Sequence, residues 1–197
     1  PGTNEEIMDL TQLISKYDLQ KVQKKSAVFD SKKFSWVSSQ YLLKQDPNTI
    51  LQSIRSLEPS WGANKTEDFC MRVIDLMIPR CNFIGDIIKK SHYFFDYPKG
   101  YNVDDQKKVW KEKTAIILKD IMKLYEKVDC QDHHGLEGLF KEYIKSSGHG
   151  FGQVMKPMRL AICGSLTGPS LFDLMELIGI DDFLKRINLY KNKFNND

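Results

Sequence analysis

The chain has 197 residues, 41% hydrophobic and 28% charged, which supports one large domain or two small ones with real cores. No apolar run approaches the roughly eighteen residues of a membrane span, and no signal-peptide pattern opens the chain, so membrane and export roles are set aside and a cytoplasmic or organellar location is expected. Net charge is +3, a mild lean toward polyanions, but unevenly spread. Residues 16–44 carry seven Lys and two Asp, whereas residues 165–184 carry four acids and no base. A polyanion would therefore meet one side only. Cys70, Cys81, Cys130 and Cys163 are widely spaced, with no CxxC pair, and read as reduced thiols.

Helical periodicity runs along the chain. Ile7, Leu10, Ile14 and Tyr17 form a first stripe, with Thr3 and Glu6 at capping-box spacing. Asp30 is placed to cap a helix carrying Phe34, Val37 and Tyr41. Asp46-Pro47 starts another, with Ile50, Ile54 and Leu57 inward. After the break at Ser60-Trp61-Gly62, Thr66 caps a helix that Pro79 ends or kinks, and a short helix resumes near Asn82. Tyr93 to Tyr101 is an aromatic, proline-broken connector expected to pack by its rings.

A single long helix is predicted from about Asp105 to Lys127, then a stripe of Leu136, Leu139, Phe140, Tyr143 and Ile144 closed by Ser146-Ser147-Gly148. Asp181 opens the last helix, with Leu184, Ile187 and Tyr190 inward. No strand pattern of useful length appears, so the expected fold class is all-α.

Between these last elements lies the most informative stretch, Gly152 to Gly164 followed by Gly168-Pro169-Ser170-Leu171-Phe172. Pro157 has no amide proton and is expected to interrupt its helix. Gly164 and Gly168 permit backbone that other residues resist, and Pro169 suits a first helical turn. The prediction is two helices meeting at a sharp corner with Arg159 shortly before it, beside helix-start amides suited to an anion or a base edge. A helix hairpin with a solvated Arg also satisfies the pattern.

Catalytic chemistry is sparse. No glycine-rich phosphate loop, GxSxG elbow or HExxH helix is present. The four His are scattered, and acids such as Asp104, Asp105, Asp181 and Asp182 sit at helix starts, where the macrodipole favours them. Cys130-Gln131-Asp132-His133-His134 is a faint metal cluster that would need further ligands. The composition of the chain points to a binding module, with an α-helical protein–protein interaction domain as the competing reading.

Three segments carry a family resemblance. Lys25 to Trp36, containing Val28-Phe29-Asp30, resembles the VFD-x-x-K-L-x-W signature of bacterial-type glutamyl-tRNA synthetases. Leu76-Met77-Ile78-Pro79-Arg80 resembles their LM-x-PR segment, and Gly152 to Gly164 with Gly168-Pro169, Leu171-Phe172, Gly179 and Arg186 resembles their closing helices. The resemblance implies the C-terminal part of a glutamate–tRNA ligase. Residues 1–45 would end the stem-contact region, and 46–102 and 103–197 would form two anticodon-binding helical subdomains. The catalytic domain, which uses ATP and Mg²⁺ in the parent enzyme, would lie in cis outside this chain. The fragment itself would hold no cofactor and make no aminoacyl-tRNA. The implied partner is tRNA(Glu), with no membrane, and the expected state is a monomer.

The resemblance also implies site residues. Arg80 matches an arginine that reads the third anticodon base, and Arg159 one near the middle of the anticodon. Gly168, Pro169 and Leu171 match residues lining that pocket. A guanidinium carries donors only, so it suits the acceptors of cytosine's pairing edge and leaves guanine's donors unanswered. Lys24, Lys25, Lys32, Lys33 and Lys156 are expected to position phosphates. The chain departs from the family at Ser38-Ser39, where Asn-Gly is usual; at Ile78, often basic; and at Gly168, which replaces a hydroxyl residue of some members.

Overall fold

A computed structural model describes residues 5–22, 26, 28–125 and 133–194, with side chains of the eighth helix from residue 137 onward. Eleven α-helices occur among them: α1 Leu10–Lys16, α2 Ser31–Lys44, α3 Pro47–Leu57, α4 Glu67–Met77, α5 Ile84–Lys90, α6 Val103–Val109, α7 Thr114–Tyr125, α8 His133–Ser147, α9 Phe151–Cys163, α10 Leu171–Ile178 and α11 Ile180–Phe194. The described residues contain no strand, and the chain is all-α.

Local chemistry accounts for most of the helix starts. The Asp30 carboxylate accepts from the amides of Lys32 and Lys33, Asp46 from Thr49, and the Thr66 hydroxyl from Phe69. Each answers an amide that the first helical turn leaves without a carbonyl. Pro47 occupies the first position of α3, where its missing amide costs nothing. Near the amino terminus the cap is Asp9 with Gln12, and α1 starts at Leu10. Thr3 lies outside the described residues. Leu10, Ile14 and Tyr17 are exposed, so the first stripe faces away from the core.

Two helical groups share one core. In the first, α3, α4 and α5 pack together around Ile50, Ile54, Val73, Ile74 and Ile87, all fully buried. In the second, α7, α9 and α11 pack together, with α6 against α9 and α10 against α11, around Leu118, Ile121, Met158, Phe183 and Ile187. The connector between them is anchored by its rings, as expected. Tyr93 and Phe94 are buried with ring centres 4.9 Å apart, and Trp61 meets Phe95 edge-on at 4.8 Å. The Trp61 indole donates to the buried Ser91 hydroxyl at 2.8 Å, satisfying its polar end.

Two predicted elements differ. The long helix from Asp105 to Lys127 is broken at Trp110–Lys113, where the Thr114 hydroxyl accepts the Lys111 amide at 2.9 Å and donates to the Val109 carbonyl. A side chain competing for backbone groups ends one helix and starts the next; the far end of the prediction lies outside the described residues. Conversely, α9 runs unbroken through Pro157. The ring is buried among core residues, and packing outweighs the lost intrahelical bond.

The Cys70, Cys81 and Cys163 thiols are free and buried. Cys130 lies outside the described residues, as do the side chains of His133 and His134. Burial pushes the Cys81 thiol to about 11 and the Cys163 thiol to about 12, from an ordinary value of 9.0. At pH 8 these three thiols should resist a thiol reagent in the native protein and react after denaturation. Above about pH 9 an unfolded chain loses thiol protons that the folded chain keeps, so stability should fall as pH rises toward 12. Native protein that titrates all four thiols, or unfolding midpoints that stay flat from pH 8 to pH 11, would contradict this account.

Candidate nucleic-acid interface

The α9–α10 corner is built by two glycines. Gly164 caps α9 in the left-handed conformation at φ 72°, where a side chain is disfavoured. A β-carbon there would also sit 2.8 Å from the Gly100 carbonyl oxygen. The Gly164 carbonyl accepts the Asn102 amide at 3.0 Å, and the Leu166 amide donates to Asp105 at 3.3 Å, which clips the corner to the start of α6. Gly168 has φ 154°, and a β-carbon on it would meet Arg159 Nη1 at 3.2 Å, Cys163 Sγ at 3.3 Å and Tyr93 Oη at 3.4 Å. Ser170 caps α10 through the Phe172 amide, so Pro169 precedes the cap and does not occupy the first turn as predicted.

Two arginines reach this corner from different parts of the chain. Arg80 ends the 3-10 turn Ile78–Arg80, which follows α4 directly and in which Pro79, the middle residue, has a fixed φ. Its Nε donates to the Gly168 carbonyl at 3.3 Å and its Nη1 to the Leu76 carbonyl at 2.8 Å. Arg159, half-buried on α9, donates from Nη1 to the Pro169 carbonyl at 2.5 Å. The two guanidinium groups thus grip adjacent residues of one loop. Neither forms an ion pair among the described residues. Each keeps most of its five N–H donors unused.

A cleft of about 590 Å³ opens beside them, within the size range of small-ligand pockets. Met77, Tyr93 and Cys163 give it an apolar floor, and Arg80, Lys89, Lys90 and His92 a basic rim. No Asp or Glu lines it among the described residues. Burial pushes the Tyr93 hydroxyl well above the usual tyrosine value, with Arg159 and Arg80 pulling it partly back. The hydroxyl stays neutral and donates to the Met77 sulfur at 3.4 Å. An apolar floor with a donor-rich rim suits a flat, acceptor-bearing ring attached to an anionic backbone.

The family described as "Anticodon binding domain" matches residues 41–190, three quarters of the molecule and both arginines of the corner. The chain belongs to the anticodon binding domain family.

Relatives of this anticodon-binding domain include a glutamate–tRNA ligase of Flavobacterium johnsoniae, 31% identical over 186 residues, and one of Porphyromonas gingivalis, 32% identical over 187. These alignments cover 94% and 95% of this chain and 37% of each relative. Among solved structures, a glutamate tRNA ligase from Elizabethkingia meningosepticum, crystallised in complex with its amino acid, superposes with a TM-score of 0.84 at 29% identity. That superposition covers 98% of this chain and 38% of the other. The domain therefore spans little more than a third of the length of the relatives it resembles.

The other predicted site residues are distributed differently. Pro169 is buried and Leu171 is only 1% exposed, so both support the corner from beneath. Lys32 and Lys33 are exposed in the first turn of α2. Lys33 Nζ lies 2.8 Å from Glu6, whose hydrogen bond raises the lysine's pKa and occupies part of its charge. Lys156 is exposed on α9, and Lys24 and Lys25 lie outside the described residues.

The sequence assigned no site role to Lys89, Lys90 or His92; the lysines close α5, a helix beyond the Arg80 turn, and only packing brings them to the cleft. The task of Arg186 also went unseen. It is 3% exposed, with Nη1 donating to the Tyr93 carbonyl at 2.6 Å and the Ile162 carbonyl at 3.3 Å. Its Nη2 pairs with Asp182 at 2.8 Å. This one side chain ties the connector to the end of α9, next to the Tyr93 and Cys163 side chains that line the cleft.

Proposed function

We propose that this domain is the tRNA-reading C-terminal region of a glutamate–tRNA ligase, selecting tRNA(Glu) by its anticodon. The parent enzyme would use ATP and Mg²⁺ in a catalytic domain elsewhere in the same protein to form glutamyl-adenylate and charge the tRNA. The chain's own residues would bind and orient the RNA. The reading is supported above all by Arg80 and Arg159 meeting at the Gly168-Pro169 loop beside a basic cleft with an apolar floor.

In this reading a splayed anticodon base lies on the floor formed by Met77 and Tyr93. The free N–H groups of Arg80 face its pairing edge. Cytosine offers them acceptors, while guanine presents donors that a guanidinium cannot answer. Arg159 serves the middle of the anticodon, and Lys89, Lys90 and His92 hold neighbouring phosphates. Gly168, Pro169 and Leu171 shape the loop.

Arg80→Gln should reduce the preference for cytosine over guanine at the third anticodon base by about 1–3 kcal/mol, about 5- to 150-fold. Binding of two anticodon stem–loops that differ only at that base measures it. Equal discrimination before and after the change would overturn the assignment. The salt dependence of binding separates this reading from a helical protein-interaction domain, because phosphate contacts make affinity fall steeply with ionic strength.

A further inference from the structure

A second cleft lies at the other end of α9. It measures about 500 Å³ and is floored by Val109, Thr114 and Ile117. Four lysines line it: Lys108 from the end of α6, Lys111 and Lys113 from the helix break, and Lys156 from α9. His149 joins them, and no Asp or Glu lines the cleft among the described residues. None of the four lysines forms an ion pair among the described residues. The break that gathers them is held open by Thr114, whose hydroxyl takes the Lys111 amide at 2.9 Å. In an unbroken helix residues 108 and 111 would share a face, but residue 113 would lie about 140° around from 108.

The two clefts lie along one row of α9 side chains. Gly152 and Lys156 line the second, Cys163 lines the first, and Arg159 stands between them. Spacings of four, three and four residues place all four positions on the same helix face. Gly152 and Cys163 are about 17 Å apart at the helical rise, a span that a short run of nucleotides covers.

We propose that the Lys108–Lys111–Lys113–Lys156 cleft binds backbone phosphates of the same RNA whose bases are read at the Gly168 corner. The inference rests on the RNA-binding reading above. It adds a second, sequence-independent contact on the far end of α9. Phosphate fits the site because four ammonium groups, one of them (Lys111) also donating to the Lys107 carbonyl at 3.4 Å, answer a diffuse negative charge without specifying a base.

The test is a salt titration of the full chain with two synthetic anticodon stem–loops, one with cytosine and one with guanine as the third anticodon base. The triple variant Lys108→Gln/Lys111→Gln/Lys113→Gln should bind both RNAs about 10- to 100-fold more weakly at low salt, with an unchanged preference between them. Its log-affinity against log-salt slope should shrink by about 2 to 3, the value for losing roughly three phosphate contacts. The matching Lys→Arg triple should retain the wild-type slope.

Unchanged affinity and slope in the Gln triple, with wild-type discrimination intact, would overturn this cleft alone. Weaker binding with an unchanged slope would also overturn it, since that result marks damage to the fold. A wild-type chain that binds neither RNA would overturn the RNA-binding reading and this inference together.

Discussion

Arg186→Met should lower the unfolding free energy by about 3–4 kcal/mol, the scale for orphaning two buried acceptors, with a smaller share from the partly exposed pair with Asp182. For a chain of this size that corresponds to a melting temperature lower by on the order of 10 °C. Methionine replaces much of the packing volume, so the loss reports on polar contacts. Arg186 donates to the carbonyls of Tyr93 and Ile162 and pairs with Asp182. Without it, the carbonyls of two buried residues lose a donor where water has little access. Thermal unfolding by circular dichroism measures the change. A shift under about 3 °C, below the scale expected for one buried polar contact, would show that the connector and α9 hold together without this pin.

Gly168→Leu should cost on the order of a hundredfold in RNA affinity, more than its effect on folding explains. The φ of 154° at this residue is strained for any side chain, which accounts for about 1–3 kcal/mol of stability. The larger effect on binding is local. A β-carbon already meets Arg159, Cys163 and Tyr93 at 3.2–3.4 Å, and the rest of a leucine would displace the Arg159 guanidinium or fill the cleft. Gly179→Ala is the control, because Gly179 also has positive φ, 84°, with nothing within 4 Å of the position its methyl would take. It should lose comparable stability and keep RNA affinity. Parallel affinity losses in the two variants would mean that backbone strain, and not crowding at the corner, governs binding.

The same crowding accounts for glycine at 168 in this chain. A serine or threonine there would bring its β-carbon against the Arg159 and Tyr93 side chains. This chain resolves that crowding by having no side chain, and leaves the hydrogen bonding to the Gly168 and Pro169 carbonyls.

Much of the helical framework was legible because helix starts are local events. Asp30, Asp46 and Thr66 each bond an amide two or three residues away, so the partners lie within one short window of sequence. The inward face of α3 was partly plain, since a helix repeats it every three or four residues: Ile50 and Ile54 are buried as read, but Leu57, read as inward, is exposed in the last turn, beyond the packed part of the helix. The arginine pair could be named from its motifs, but its geometry could not be read there. Arg80 and Arg159 contact one loop only because α4, α9 and α10 dock in one arrangement.

Where the local reading failed, a longer-range contact or a competing side chain was responsible. Pro157 weakens a helix locally, yet α9 continues because the ring and its neighbours Met158, Leu160 and Ala161 are buried. The periodic run from Asp105 onward reads as one helix, yet Thr114 captures backbone groups and splits it, gathering Lys108, Lys111 and Lys113 at one cleft. Element type, caps and inward faces follow from neighbours within a turn or two, so the order of residues was enough to specify them. The positions of the two clefts, the Arg186 pin and the shared face of α9 depend on side chains far apart in the chain. Their energies arise only after packing has excluded water and brought those groups together, and no local pattern carries that information.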